Sequence, residues 1–549
     1  MKKYTIGIDF GTLSGRAVLV RVCDGTVVAE SSLAYPHGVM DERLPDGTPL
    51  PQKFALQHPQ DYLDVLYTTI PAVIREGGVS PEEIAGVGVD FTSCTVIPVK
   101  ADGTPLCFLP EFTGEKHAYV KLWKHHAAQE QADRIGDLAK KRGEEWLPLY
   151  GGKISSEWMF PKILEVLEEA PHVYEAADRF MEAGDWIVWM LTGHEARSAS
   201  VSGFKSFWGE TDCRLSEDFL TALHPDLRGI IGTKIPREVY QNGTNTGYVC
   251  SAMQEKTGLA PDTAVAPCVL DAHVAFPALG LTEVGQMLLV IGTSGVNIVM
   301  ADAEVAVPGI CGVSPNGIMP GHFGYDSGQC AIGDIFDWFV KNCTPASYTD
   351  AAKAEGISIH AYLREKAAQL RPGESGLIAL DWWNGNRSVI NDSSLSGMIL
   401  GLTLRTKPEE IYRALLESCA YGTRKIIESY EEQGVAVREL YACGGIAIKD
   451  PLMMQIYSDV TGRPIRVAAN TQAAAVGAAI FGASAAGLFP SLYDAASAMG
   501  RVREDAYTPD PDACAVYDKL YREYAILHDY FGRGENEVMH RLSGNTPQP

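Results

Sequence analysis

The chain lacks the cysteine spacing on which structural zinc sites and dithiol redox motifs depend. Its 12 cysteines are scattered over 549 residues, and no two of them stand in a C-x-x-C arrangement. Several lie inside apolar runs, as Cys268 does in Ala-Pro-Cys-Val-Leu. Such thiols are typical of buried side chains in a protein that is kept reduced, so we expect a cytoplasmic protein.

An excess of positive charge and a long apolar run are also missing. The formal net charge of −23 opposes binding to the phosphate backbone of nucleic acid. The most membrane-like stretch, Ala473 to Phe489, is rich in Ala and Gly and short for a membrane span, so we expect a closely packed buried helix there. Neither nucleic acid nor a membrane is therefore expected as a partner.

Three widespread signatures of nucleotide-dependent proteins are absent. There is no G-x-x-x-x-G-K-[ST], no G-x-G-x-x-G after the first predicted strand, and no His-Arg-Asp. These absences remove the main support for the P-loop, the dinucleotide-binding and the protein-kinase interpretations. Because the acidic chain repels polyanions overall, a nucleotide site would have to rely on local donors and a metal ion.

The length and the pattern of elements predict an α/β protein with at least two domains. Helices are predicted from about Pro59 to Glu76 and from Pro408 to Glu432, and a buried strand from Ile84 to Val99. The segment Gly280 to Gly285 is a plausible junction. We place the boundary near residue 284, which gives domains 1–284 and 285–549.

One hairpin pattern occurs in both halves. Thr5 to Val20 reads as strand, turn and strand around Asp9-Phe10-Gly11-Thr12, and Met287 to Met300 repeats it around Gly292-Thr293-Ser294-Gly295. Glycine lets the backbone approach a phosphate, amides and hydroxyls donate to it, and a carboxylate can hold Mg²⁺. One such turn alone favours an ordinary hairpin, but two of them, with Gly444-Gly445 after a third strand, favour nucleotide binding.

Phosphoryl transfer to a hydroxyl also needs a base and a site for the acceptor. Asp271 follows an apolar run just before the second half, where a base and a helix N-cap are equally good interpretations. Lys205 and Asp326 lie in aromatic, glycine- and hydroxyl-rich surroundings that suit a sugar, although a surface salt bridge is the commoner interpretation of each alone.

A longer signature joins these observations. Gly397 to Leu402, followed by Glu410-Ile411 and Ala414 to Glu417, resembles the C-terminal signature of the FGGY carbohydrate kinases. The two hairpin turns and Gly444-Gly445 resemble the two phosphate loops and the adenosine loop of that family, in the same order. The resemblance implies two actin-like, ribonuclease-H-like ATPase domains flanking a catalytic cleft, with sugar mainly on the first and ATP mainly on the second.

The resemblance also implies a role for each candidate residue. Asp271 would be the catalytic base and would contact the sugar, and Asp9 and Asp271 would lie at Mg²⁺. The residues that would bind ATP are Thr12, Arg16, Gly292, Thr293, Gly444, Gly445 and Lys449. The residues that would bind the sugar, besides Asp271, are Ser93, Cys94, Lys205 and Asp326.

The substrate expected from the resemblance is L-ribulose, a ketopentose of L-arabinose catabolism. The segments most similar to family members acting on it are 122–126, 150–158, 289–294, 309–312 and 381–387. Family members acting on glycerol carry an Arg-Glu pair where this chain has Ser93-Cys94, and Asp326 stands where we expect Glu. Xylulose or a pentitol as substrate, and a non-catalytic nucleotide-binding sugar sensor, stay as alternatives. The resemblance to the family also makes a homodimer the expected oligomeric state.

Overall fold

The computed structural model describes residues 2–543, in which helices and strands alternate along the chain. The strands up to residue 284 are β1 (Tyr4–Phe10), β2 (Ser14–Arg21), β3 (Val27–Ala34), β4 (Leu56–Gln57), β5 (Ile84–Phe91), β6 (Val96–Val99), β7 (Val120–Lys121), β8 (Arg179–Glu182), β9 (Gly247–Tyr248), β10 (Ala264–Val265) and β11 (Val269–Leu270). The helices are α1 (Pro59–Gly77), α2 (Gln129–Arg142), α3 (Met159–Glu169), α4 (Pro171–Ala176), α5 (Ala183–Thr192), α6 (Ala199–Lys205), α7 (Glu217–Leu223), α8 (Ile230–Thr233), α9 (Ser251–Thr257) and α10 (Ala275–Ala278).

The second half continues with the same mixture. Its strands are β12 (Gln286–Ile291), β13 (Gly295–Ala301), β14 (Gly312–Pro315), β15 (Phe323–Gln329), β16 (Ile378–Leu380), β17 (Met398–Leu400), β18 (Glu439–Cys443), β19 (Ile465–Ala468) and β20 (Val502–Tyr507). Its helices are α11 (Gly333–Cys343), α12 (Ala346–Glu355), α13 (Ile359–Ala368), α14 (Pro408–Glu432), α15 (Gly445–Lys449), α16 (Pro451–Thr461), α17 (Ala473–Ala485), α18 (Leu492–Met499), α19 (Pro511–Gly532) and α20 (Val538–Ser543).

Two seven-stranded sheets, one in each half, share the same central topology. The first has the order β3-β2-β1-β5-β10-β9, with β11 also paired to β5, and the second has the order β14-β15-β13-β12-β18-β19-β20. In each sheet a hairpin strand pairs antiparallel on one side and parallel on the other, as β1 does with β2 and β5 and β12 does with β13 and β18. The repeat agrees with the predicted pair of actin-like α/β domains.

The predicted buried strand from Ile84 to Val99 is wrong in its extent. The structure has two strands there, β5 in the first seven-stranded sheet and β6 in a separate four-stranded sheet. Cys94 lies between them with φ of 58°, in the left-handed region that a continuous strand cannot contain. The chain therefore turns at residues 92–95 instead of continuing as one strand.

Helix α17 lies against the first sheet, although it belongs to the second half of the sequence. A Cβ added at Gly7 would lie 1.7 Å from the carbonyl oxygen of Ala475, and one at Gly88 would lie 1.8 Å from that of Ala478. The strands and the helix thus touch backbone to backbone, which only glycine allows. The expected buried helix is confirmed, and within residues 2–543 no helix is long and apolar enough to cross a membrane.

Residues of the second half therefore complete the core of the first. Side chains of α17 and α18 belong to the same buried cluster as those of β1, β2 and β5. The boundary near residue 284 stays a prediction about how the chain divides.

Candidate active site

Three carboxyl groups meet at one edge of the first sheet. Asp9 near the end of β1 lies opposite Asp90 of β5 in the parallel register of the two strands. Asp271 directly follows β11, and its backbone N–H donates to the carbonyl of Phe91 at 3.0 Å. The carboxyl ends of parallel strands thus collect residues that are 81 and 181 positions apart from one another in the sequence.

Burial raises the pKa of all three, and repulsion from neighbouring carboxylates adds to the rise at Asp90 and Asp271. Burial raises the pKa of Asp9, partly offset by the Arg16 guanidinium. Burial, followed by the charges of Asp9 and Asp271, raises the pKa of Asp90 well above its usual range. Burial, followed by the charge of Asp9, raises the pKa of Asp271 to about 7. The site therefore holds a carboxyl group that exchanges a proton near neutral pH.

The local structure excludes the N-cap interpretation of Asp271. Its Oδ1 accepts from the N–H of Ala272 at 2.8 Å, and α10 begins only at Ala275, with Val274 in the N-cap position. The side chain is thus not committed to a helix end. A catalytic role for Asp271 stays a prediction.

The carboxyl cluster also suits a divalent cation, because carboxylate oxygens are ligands that Mg²⁺ accepts. Both side-chain oxygens of Asp90 are buried without a hydrogen-bond partner within the described part of the chain. Asp90 was missed in the sequence, although Val87-Gly88-Val89-Asp90-Phe91 repeats the pattern of Ile6-Gly7-Ile8-Asp9-Phe10. That repeat is the signal that could have found it.

The predicted phosphate loop after β1 is held from several sides. The N–H of Gly11 donates to the carbonyl of Ser14 at 3.0 Å, and the carbonyl of Gly11 accepts from Tyr35 Oη at 3.0 Å. Thr12 accepts from Gln57 Nε2 at its carbonyl, 2.8 Å away, and from Trp123 Nε1 at its hydroxyl, 3.1 Å away. The loop is therefore fixed before any ligand binds.

Arg16 links this loop to the second half of the chain. It lies opposite Asp9 in the β1–β2 hairpin, and its Nε is 3.2 Å from Asp9 Oδ2. Its Nη1 donates to Gln472 Oε1 at 2.9 Å, immediately before α17. Gln472 was not found in the sequence, because no local pattern marks a partner 456 residues away.

Lys205 and Asp326, two of the predicted sugar-binding residues, form a buried ion pair between the halves. Lys205 at the end of α6 donates to Asp326 Oδ2 of β15 at 2.8 Å, and His273 Nε2 lies 3.9 Å from the same oxygen. Burial alone would raise the pKa of Asp326, but Lys205 and His273 lower it below its usual value. Asp326 in turn contributes to the raised pKa of Asp271, so the pair acts at the carboxyl cluster.

Ser93 and Cys94 lie in the turn between β5 and β6. Cys94 is buried, and Ser93 is half-buried. The carbonyl of Cys94 accepts from Lys162 Nζ, which also donates to the carbonyl of Leu122 at 2.8 Å. Lys162 is a further residue that the sequence did not reveal, and it joins the Ser93-Cys94 turn to the segment that carries Trp123.

The predicted ATP residues of the second half assemble around the end of β12. The N–H of Gly292 donates to the carbonyl of Ser294 at 3.0 Å, and the carbonyl of Thr293 accepts from the N–H of Ile332 at 2.8 Å. Gly444 has φ of 97°, and a Cβ there would lie 2.4 Å from the carbonyl oxygen of Ile291. The adenosine loop candidate therefore abuts the second phosphate loop candidate.

Gly445 and Lys449 are the first and last residues of α15. A Cβ at Gly445 would meet nothing within 4 Å, so this position is open. Lys449 is exposed, and its carbonyl accepts from Arg364 Nη1 at 3.1 Å. Lys449 therefore lies at the opposite end of the five-residue helix α15 from Gly444 and Gly445.

Comparison with known proteins identifies the family. The model of the FGGY carbohydrate kinase N-terminal domain matches residues 4–278, and that of the C-terminal domain matches residues 287–486. The chain belongs to the FGGY family of carbohydrate kinases. It is therefore an ATP-dependent carbohydrate kinase, as the resemblance of its signature and loops implied.

Several curated members of the FGGY family are similar over almost the whole chain. A ribulokinase of Geobacillus thermodenitrificans is 52% identical over 546 residues, covering 98% of this chain and 97% of the relative. A ribulokinase of Mycolicibacterium smegmatis is 47% identical over 543 residues, covering 98% and 96%.

Solved FGGY structures share the fold. A xylulose kinase of Rhodospirillum rubrum superposes with a TM-score of 0.79 at 23% identity, covering 99% of this chain and 100% of that one. A glycerol kinase of Plasmodium falciparum crystallised with ADP gives a TM-score of 0.74 at 17% identity, covering 95% and 98%. At these identities the match establishes the fold of this FGGY kinase.

Proposed function

We propose that this FGGY kinase transfers the γ-phosphoryl group of ATP to L-ribulose, giving ADP and L-ribulose 5-phosphate. The observation that carries the proposal is the identity of 47–52% to relatives named ribulokinase over nearly the whole chain. The matched stretches cover 96–99% of this chain and so span both loops, both sheets and the Lys205–Asp326 pair.

Asp271 serves as the general base in this proposal. The terminal hydroxyl oxygen of the sugar forms a bond to the γ-phosphorus, the bond from that phosphorus to the β,γ-bridging oxygen breaks, and the hydroxyl proton passes to Asp271. A base works best when its pKa lies near the working pH, and the pKa of about 7 at Asp271 meets that condition. The rest of the catalysis is positioning and charge stabilisation.

Asp9, Asp90 and Asp271 would hold Mg²⁺, directly or through water. The ion supplies charge neutralisation on the phosphate oxygens during transfer. The donor set supports this assignment, because it is made of carboxyl groups, which bind Mg²⁺ when they give up their protons. It includes two buried Asp90 oxygens without a hydrogen-bond partner within residues 2–543.

The loops of both halves would bind ATP. Thr12 and Arg16 of the first half and Gly292 and Thr293 of the second contact its phosphates in this proposal. The open position at Gly445, with Gly444 and Lys449, receives the adenosine. The hydrogen bond from Arg16 to Gln472 supports a loop that is oriented before the nucleotide arrives.

The sugar would lie against Asp271, the Lys205–Asp326 pair and the Ser93-Cys94 turn. Charged donors and acceptors that are already paired and buried suit the recognition of several hydroxyl groups. Ser93-Cys94 offers no charged side chain, so glycerol is expected to be a poor substrate.

The test measures ADP release with L-ribulose, D-ribulose, xylulose, ribitol and glycerol, each with and without Mg²⁺. We expect Mg²⁺-dependent release that requires the sugar and is fastest with L-ribulose. Equal release with and without any sugar would identify an ATPase instead, and comparable kcat/KM for glycerol and L-ribulose would refute the pocket assignment.

A further inference from the structure

A second cluster of metal-ligating side chains lies outside the active site. His37 follows β3, His58 precedes α1, and Asp61 lies in the first turn of α1. One donor atom from each of them lies within 4.8 Å of the others. Neither the proposed reaction nor the sequence motifs use these three residues.

Two of the three side chains are fixed by local structure. Asp61 is buried, with its Oδ1 2.6 Å from His37 Nδ1 and its Oδ2 accepting from the backbone N–H of His37 at 3.1 Å. His58 is the N-cap of α1, where its Nδ1 accepts from the N–H of Gln60 at 3.2 Å. The rings of His37 and His58 stack, with centroids 4.3 Å apart and planes inclined by 17°.

The hydrogen bonds of the cluster leave room for a metal ion. His58 caps α1 through Nδ1, so Nε2 is the ring nitrogen that can bind the ion. His37 Nδ1 and Asp61 Oδ1 already face each other at 2.6 Å, so an ion can replace the hydrogen bond between them.

We propose that His37, His58 and Asp61 form a binding site for a transition-metal ion of the Zn²⁺ class, separate from the carboxylates that serve Mg²⁺. Two imidazole nitrogens and one carboxylate oxygen suit Zn²⁺, whereas Mg²⁺ takes oxygen ligands almost exclusively. Three protein ligands leave one tetrahedral position to water. In tetrahedral zinc sites the ligand atoms lie about 3.4 Å apart, as follows from bonds of about 2.1 Å. His37, which is exposed, therefore has to move inward on binding. Its ring also has to turn out of the stack with His58, because two stacked parallel rings cannot both direct an in-plane lone pair at one ion.

The position of the site connects it to the phosphate loop. Tyr35, two residues before His37, donates to the carbonyl of Gly11, and Gln57, immediately before His58, donates to the carbonyl of Thr12. An ion bound by His37 and His58 joins the two segments whose side chains hold that loop.

The experiment is a Co²⁺ titration followed by calorimetry and visible absorption, with Mg²⁺ in excess so that the oxygen-rich site is occupied. The key variant is His58→Asn, since Asn keeps the N-cap but is a poor ligand for this class of ion. The matched control is His224→Asn, because His224 caps the 3₁₀ turn Pro225–Leu227 through the same kind of contact, Nδ1 to the N–H of Asp226 at 3.2 Å. A third variant, His37→Gln, changes a more exposed ligand.

We expect the wild type and His224→Asn to bind one equivalent of Co²⁺. His58→Asn and His37→Gln should not bind this ion, or should bind it at least about 10-fold more weakly. Loss of a residue that only supports a metal ligand already weakens binding by about that factor, so loss of a ligand should weaken it at least as much. The bound ion should lack the charge-transfer absorption of a thiolate ligand. Equal binding by the wild type and both cluster variants would overturn the proposal, and so would thiolate absorption that accounts for all bound Co²⁺.

Discussion

Lys205 and Asp326, which come from different halves of the chain, form a buried ion pair at 2.8 Å. Each side chain is about one-tenth exposed, so neither charge is solvated well enough to stand alone. The pair holds the two halves in one arrangement at the place where the sugar is proposed to bind. Changes to it should therefore affect both stability and substrate affinity.

We expect Asp326→Asn to destabilise the protein by about 3–5 kcal/mol, because breaking a buried pair leaves an uncompensated charge on Lys205. The KM for L-ribulose should rise as well. Denaturant unfolding and steady-state kinetics measure the two effects. Asp337→Asn is the matched control, since its partner Lys341 is exposed and unfolding should hardly change. A variant as stable as the wild type would show that the pair is not needed.

Replacement of the proposed base gives the second prediction. Asp271→Asn keeps the size of the side chain but cannot accept the hydroxyl proton, so kcat should fall by about 10² to 10⁴ with both substrates still bound. Asp262→Asn, at an exposed surface carboxylate, serves as the control. Retention of more than about a tenth of the wild-type kcat, well above the loss expected for a missing base, would remove Asp271 from this role.

The pH dependence of the reaction gives the third prediction. Asp271 must be deprotonated to act as a base, so kcat/KM should rise with pH through about 7. The Asp9 charge is a cause of the raised pKa, second to burial, so Asp9→Asn should move the rise to lower pH. Rate profiles of the wild type and the variant test this. A midpoint unmoved by Asp9→Asn would contradict the electrostatic link.

Asp90 gives the fourth prediction, on stability. Its pKa is far higher in the folded state than in the unfolded chain, so between those two values the folded state retains a proton that the unfolded state loses. The contribution of Asp90 to the free energy of unfolding should therefore decrease as the pH rises above about 4, the pKa of an unfolded aspartate. Asp90→Asn has no proton to lose at this position, so its free energy of unfolding should not fall for this reason. In urea unfolding the variant should therefore be more stable than the wild type, by a larger difference at pH 8 than at pH 5. A gain independent of pH would refute the assignment.

Local patterns in the sequence were sufficient to predict helix α14 and the two hairpins that carry the phosphate loop candidates. The predicted helix from Pro408 to Glu432 is α14, and both predicted hairpins are present as β1–β2 and β12–β13. These elements depend on periodicity and turn residues within a short stretch. The signature that identified the family is likewise contiguous.

Contacts between distant segments could not be predicted in this way. Asp90 looked like part of an apolar strand, and only the parallel register with β1 puts it beside Asp9. Lys162 is a charged residue in a helix with a buried face, and nothing near it in sequence marks the carbonyls of Cys94 and Leu122 as its partners. The break at Cys94 depends on a backbone angle that its residue type does not favour.

The contact between α17 and the glycines of β1 and β5 determines when the first half can finish folding during synthesis. The face of the first sheet around Gly7, Gly86 and Gly88 is covered by residues 473–485. The ribosome has to translate residues 473–485 before this face of the sheet can be buried. The first half, although it is synthesised first, therefore cannot complete its core until α17 has been synthesised. Domains that fold one after another as they emerge do not have this constraint. Until then the nascent protein presents an uncovered apolar sheet, a surface of the kind that chaperones bind.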